Sequence, residues 1–285
     1  MTVQTILIEP ILLEQVLSRL GFSSAPDISL SGLESVYEAW CNQVPFDNLM
    51  KLIHVQSKNP APLPGDNATQ FFESWLKHRT GGTCWAGNGA LFSLLSALGF
   101  NAERGVCTMM VAPNLPPNHA TVIAHLDQKK YMLDASITHC KPIQLDPQIK
   151  EHSYLPKWVK NVSLEDNHWY IDWVPVHRPQ GLDCRIDYEG ASREDYSERH
   201  EQTREWSPFN YELHVRQVRN NAVKGLANGK LGSISLTGAY AENTFEEKDR
   251  ARVLIEEFGY SEEVVNKLPP DTPTPPPPGS KTAMS

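Results

Sequence analysis

The chain has no Cys-x-x-Cys pair, and its five cysteines, Cys41, Cys84, Cys107, Cys140 and Cys184, are odd in number and widely spaced. This argues against a disulfide framework and against a cysteine-built zinc site, and for reduced thiols in a cytoplasm. None of the ten histidines stands four residues from another. The paired-histidine helix of a metalloenzyme is therefore missing, and no metal is expected. Basic charge is in deficit too: 26 Lys and Arg against 34 Asp and Glu leave a formal net charge of -8. Binders of nucleic acid or of anionic membranes usually carry the opposite sign, so neither partner is expected. No run approaches the roughly 18 consecutive apolar residues that a spanning helix needs. The opening Met-Thr-Val-Gln-Thr lacks the basic start of a secretory signal, and a cytoplasmic location is expected. A glycine-rich phosphate loop with its lysine is absent as well. What remains is an ordinary globular composition, 40% hydrophobic and 21% charged.

The apolar period is helical at first. Leu13, Val16 and Leu20, then Leu33, Val36 and Trp40, then Phe71, Phe72 and Trp75, then Leu91, Leu94, Leu95 and Leu98 mark four helices. Gly21, Pro45, the pair Gly81-Gly82 and Gly99 are their stops, and a polar loop separates the second from the third over residues 57–67. Past residue 101 the period shortens to two, and residues 104–111, 119–126 and 130–135 read as strands. Residues 169–174 and 184–188 are weaker strands, and 189–205 reads as a polar surface loop. Asn228-Gly229 between residues 223–227 and 230–237 is the strongest hairpin signal. Residues 245–258 read as a closing helix. Proline, threonine, serine and glycine dominate 269–285, which reads as a disordered tail.

Cys84 stands where Gly81-Gly82-Thr83 meets the helix of Leu91–Leu98. Thr83 is a reasonable N-cap, which puts the thiol in the first helical turn, where the partial positive charge favours a thiolate nucleophile. His119 and Asp134 lie on consecutive strands. With Asp127-Gln128 as the turn, Leu126 pairs Lys129 and Thr121 falls opposite Asp134. His119 is then diagonal to Asp134 on the same face, within side-chain reach. A loop of odd length would set them on opposite faces. On one face the carboxylate holds one imidazole nitrogen and the other is left for the thiol, the arrangement of nucleophile, base and orienter.

These residues resemble the arylamine N-acetyltransferase family, whose signature is Arg-Gly-Gly-x-Cys with an asparagine four residues on. Gly81-Gly82-Thr83-Cys84 and Asn88 match it. The interval from His119 to Asp134 is similar, and Val-Pro-Phe-Asp-Asn-Leu at 44–49 resembles the family's Ile-Pro-Phe-Glu-Asn-Leu. The likeness runs over roughly residues 5–268. It implies an α+β fold on a cysteine-protease or transglutaminase-like core: a helical domain (1–100), a central β-barrel (101–205) and an α/β lid (206–268). It also implies ping-pong transfer, in which acetyl-CoA or another acyl-CoA acylates Cys84 and an arylamine or related amine takes the acyl group. No bound cofactor is needed. Phe46 and Trp85 are candidates to line the substrate pocket, and Asn88 to tie backbone groups together. The chain departs from the pattern at Thr80, at Ala86 and over Asp134-Ala135-Ser136. The same Cys-His-Asp set also serves a transglutaminase-like peptidase or an amide synthase, and a non-catalytic member would retain it by descent.

Overall fold

The computed structural model describes residues 8–111, 113, 115–149, 159–176, 178 and 180–278. Helices come first. In α1 (Pro10–Leu20) proline occupies the first turn and Gly21 ends the helix at φ 97, in the left-handed region. The N-cap of α2 (Leu30–Gln43) is Ser29, whose side chain accepts the Gly32 N–H. A two-residue strand, β1 (Phe46–Asp47), precedes α3 (Leu49–Gln56), a helix in a stretch the sequence reading leaves unassigned. The next helix, α4 (Ala68–His78), closes on Arg79 at φ 63, three residues before Gly82, so the glycine pair serves the following loop rather than the helix end. Ten of the fourteen residues of α5 (Cys84–Ala97) are buried. It is a central helix packed on several sides, which is why its apolar residues do not keep to one stripe.

Seven antiparallel strands follow: β2 (Asn101–Met109), β3 (His119–Leu126), β4 (Lys129–Leu133), β5 (Ile143–Gln144), β6 (Val159–Glu165), β7 (His168–Trp173) and β8 (Leu182–Tyr188). They form one sheet in the order β5-β4-β3-β2-β8-β7-β6, a half-barrel whose interior carries Cys107, Ile123, Met132, Ile171, Cys184 and Ile186. The turn between β3 and β4 uses Asp127 and Gln128 at φ 49 and φ 61, as a two-residue hairpin requires. Leu126 pairs Lys129 and Val122 pairs Leu133, the expected register.

Residues 193–202 correct the reading of a surface loop. They form α6 (Arg193–Gln202), with Ser192 as N-cap, Glu194 and Asp195 in the first turn, and Arg199 and His200 in the last. Each of these complements the helix ends. Only Tyr196 and His200 are buried, too few for an apolar stripe. Beyond lies a second antiparallel sheet of β1 with β9 (Val215–Arg219), β10 (Ala222–Ala227), β11 (Lys230–Ser235) and β12 (Tyr240–Thr244). The hairpin at Asn228-Gly229 pairs Ala227 with Lys230 as expected. The closing helix is shorter than expected: α7 (Arg250–Phe258) follows a 3-10 turn at Glu247–Asp249, and α8 (Glu262–Val265) ends the regular structure.

The proline-rich segment also corrects its reading as far as residue 278; residues 279–285 lie outside the described residues. Residues 269–278 form no helix or strand but are tied down. Trp206 Nε1 donates to the Pro275 carbonyl at 3.0 Å, and Thr272 N donates to the Tyr211 carbonyl at 2.9 Å. Asp271 accepts from Leu213 N and from Arg250 Nη2, both at 3.0 Å. Proline-rich chain loses little conformational entropy on docking, so a few such bonds suffice.

Candidate active site

Cys84 is the first residue of α5, follows Thr83 at the N-cap, and is 6% exposed. His119 opens β3, and Asp134 directly follows β4. His119 Nε2 meets Asp134 Oδ2 at 2.8 Å, with both side chains buried. Nδ1 is thereby the nitrogen left for Cys84, whose thiol is among the groups that act on the imidazole and whose Sγ lies 4.0 Å from the Asn118 carbonyl oxygen. Burial by itself would push His119 down; the Asp134 carboxylate outweighs it, helped by the Cys184 and Cys84 thiols, and the imidazole sits well above its ordinary value. Burial works against ionisation of Asp134 too, but His119 and two backbone N–H groups hold it below the usual range. Its Oδ1 accepts Ser136 N at 2.7 Å and Ile137 N at 3.0 Å. The carboxylate is thus fixed at both oxygens, and the imidazole between it and the thiol is a strong proton acceptor.

The surrounding residues hold these three in place. Asn88, one turn into α5, donates to the Ala120 carbonyl at 2.7 Å and accepts Ala135 N at 2.9 Å. One side chain thereby links the cysteine helix to the neighbours of both His119 and Asp134. We expect Asn88→Ala to leave two buried groups unpaired and to lose about 2–4 kcal/mol in urea unfolding; a loss under about 1 kcal/mol would refute this tie. Tyr37 Oη donates to the Asp134 carbonyl at 2.9 Å and accepts Asp134 N at 3.0 Å. Arg216 Nη2 donates to the Ile137 carbonyl at 2.7 Å while its guanidinium lies 4.5 Å from the Trp173 ring centre. Sequence reading missed both residues, because each reaches the loop after Asp134 from a distant element.

The Val-Pro-Phe-Asp-Asn-Leu segment braces the glycine pair. Asp47 N donates to the Gly82 carbonyl at 3.2 Å, and Asp47 Oδ2 accepts Gly81 N at 2.6 Å and the Tyr260 hydroxyl at 3.0 Å. A Cβ on Gly81 would stand 1.7 Å from the Pro45 carbonyl oxygen, so no other residue fits there. Burial pushes Asp47 from 3.8 up to about 6, against the pull of Gly81 N, Tyr260 and Leu49 N. Between those two values the folded chain holds a proton that the unfolded chain has released. The Asp47 contribution to stability therefore falls as pH rises through that window, by about 3 kcal/mol. The stability difference between wild type and Asp47→Asn, from denaturant unfolding, is expected to shift by about that amount between about pH 4 and about pH 7, because other groups such as His200 titrate alike in both. A difference that stays constant with pH would overturn it.

The two candidate pocket residues part company. The ring of Trp85 is buried beside Cys84 and meets Tyr196 edge-on, 5.0 Å between centres. Phe46 packs on Phe209 at 5.3 Å, and its backbone bridges Gly82. The departures from the signature are each accommodated. Thr80 is buried and shares a 2.8 Å hydrogen bond with Ser74, Ala86 fits against Gly65 and Gly82, and Ala135 and Ser136 direct their N–H groups to Asn88 and Asp134. Among the described residues one group of three potential metal ligands occurs, Glu103, His125 and Glu189, but Lys130 already bonds Glu189 at 2.6 Å. No described helix is long and apolar enough to cross a membrane.

A family model described as N-acetyltransferase matches residues 29–264. The chain is 29% identical over 140 residues to an arylamine N-acetyltransferase of Mycolicibacterium smegmatis, a match covering 46% of this chain and 49% of that protein. It thus spans about half the length of the curated relative. Arylamine N-acetyltransferase from Salmonella typhimurium superposes with a TM-score of 0.74 at 18% identity, over 90% of this chain and 97% of that one. The Mycobacterium marinum arylamine N-acetyltransferase solved in complex with CoA gives 0.74 at 17% identity, over 90% and 98%. These structures share the fold, and the match over residues 29–264 places the chain in the arylamine N-acetyltransferase family.

Proposed function

We propose that the chain transfers an acyl group, acetyl in the simplest case, from acyl-CoA to an arylamine or related amine through a thioester on Cys84. The observation that carries this reading is the buried His119, held on Nε2 by Asp134 with Nδ1 left free of the carboxylate, and with Cys84 among the groups that raise it. His119 takes the thiol proton as Cys84 Sγ attacks the thioester carbonyl. CoA leaves as its thiolate and takes that proton from the imidazolium, leaving acyl-Cys84. The amine then attacks the enzyme thioester, its proton passes to His119, and the amide departs as the Cys84 thiolate forms again. The relative solved with CoA supports an acyl-CoA donor. Five free cysteines, with no disulfide, suit a reducing cytoplasm.

The test is intact mass after incubation with acetyl-CoA, then with an arylamine. One acetyl on Cys84, discharged by the amine, is the expected result. No adduct, under conditions that label a known family enzyme, would overturn the reading.

A further inference from the structure

Lys51 is 5% exposed, and no carboxylate lies within ion-pair distance of it among the described residues. Its ammonium donates to Thr203 Oγ1 at 2.7 Å and to the Thr203 carbonyl at 3.4 Å, at the C-terminal cap of α6. Among the described residues one of its three protons therefore has no acceptor. A buried cation without a counter-charge is costly, and such a group normally meets its anion when a ligand arrives. Burial brings Lys51 down to about 7, while the charges of Cys84 and Glu201 oppose the fall, so the ammonium is within electrostatic reach of the nucleophile.

The same face of α6 adds unpaired donors. Tyr196 Oη and His200 Nε2, one helical turn apart, are buried with no hydrogen-bond partner among the described residues, and so is Trp85 Nε1. These three residues line one pocket. Tyr196 packs against Trp85 and clusters with Cys84. Burial, with Lys51 and Arg204 nearby, takes His200 to about 3, so its ring is neutral and can present an N–H at Nε2. Ammonium, phenol, imidazole and indole are all donors, and the one carboxylate lining the pocket, Asp66, is already paired with Arg193 at 3.2 Å and with Ser197. Such a set recognises an anionic acceptor group.

We propose that Lys51, Tyr196 and His200 form a carboxylate subsite beside Cys84, filled by an acid group carried either on the acyl chain or on the amine acceptor. It rests on the acyl-transfer reading for the identity of those ligands. Its placement near Cys84 means that a carboxylate a few bonds from the reacting carbonyl or amine reaches it. Charge selection then comes from α3 and α6, outside the triad.

The experiment measures equilibrium binding by calorimetry on Cys84→Ala, so that no chemistry intervenes. Two matched pairs separate the sources: succinyl-CoA against butyryl-CoA, and 4-aminobenzoate against 4-aminobenzamide. At least one acid is expected to bind about tenfold tighter than its neutral counterpart, and that preference to vanish in Cys84→Ala/Lys51→Met. The Met variant should fold, because Thr203 Oγ1 keeps its bond to the His200 carbonyl at 2.7 Å; Lys51→Gln is measured beside it. A preference in the first pair assigns the acid to the acyl group, and one in the second to the acceptor. No preference in either pair, or one that survives both substitutions of Lys51, overturns the subsite. The adduct assay on wild type is independent: a chain that binds acids selectively but takes no acetyl group keeps the subsite and loses the acyl-transfer reading.

Discussion

Cys84→Ala is expected to take up no acyl group from acetyl-CoA and to lose amine acylation by roughly 10⁴-fold or more. The substitution removes one buried atom and keeps a strong helix former at the first position of α5, so the fold should survive. What disappears is the covalent intermediate. Without it the amine must attack the CoA thioester directly, with His119 still present as a base but with no thiolate to split the reaction into two steps. The neighbouring supports are untouched: Asn88 still spans Ala120 and Ala135, and Asp47 still holds Gly81. A variant with unchanged melting behaviour and no adduct therefore isolates the nucleophile. Near wild-type turnover in Cys84→Ala would refute acyl transfer through this thiol, and an adduct on another cysteine would relocate it. Cys107 and Cys184 are the informative controls, because both are buried inside the half-barrel and Cys107 pairs with His119 across β2 and β3.

Much of the arrangement was legible before any coordinates. A two-residue turn at Asp127-Gln128 fixes parity, and parity alone puts His119 and Asp134 on one face; the 2.8 Å contact is its consequence. The hairpin at Asn228-Gly229 was readable for the same reason, since its geometry is set by two residues. What escaped depends on the packing of distant segments. The helix α6 has only two buried residues, so it has no apolar period to detect, although Ser192 and its charge order mark both ends. Lys51 lies on α3, in a stretch to which the sequence assigns no element, and its contact with Thr203 at the end of α6 joins segments 152 residues apart. Arg216 acts on the loop after Asp134 from a strand 79 residues further along the chain. Local rules, with the family resemblance, thus brought Cys84, His119 and Asp134 forward as candidates, while the residues that surround them came from tertiary contacts.

Asp134→Asn is expected to lower acylation by roughly 10⁴-fold with little change in fold. Asparagine can turn its oxygen to Ser136 N and Ile137 N, which now donate to Asp134 Oδ1 at 2.7 Å and 3.0 Å, so the loop is retained. Its amide then offers an N–H to His119 Nε2, where the aspartate accepted one. The imidazole responds by carrying its proton on Nδ1, the nitrogen left for Cys84, and can no longer take the thiol proton. The charge balance changes as well. In wild type the imidazole is raised and the carboxylate lowered, each mainly against the cost of burial and through the other. The histidine's share of stability is complete below its unfolded value and fades as pH rises through its folded one. The aspartate's share is complete above its unfolded value and fades as pH falls through its folded one. The pair therefore contributes most in the window between the ordinary carboxylate and histidine values, about pH 4 to about pH 6.5. The stability gap between wild type and Asp134→Asn should be widest there and should narrow below it. Acylation rates by intact mass, with unfolding measured across that range, test both halves. A variant that acylates at the wild-type rate would show that His119 needs no carboxylate to orient it. One that loses activity with a gap independent of pH would show that the contact positions the ring without carrying charge.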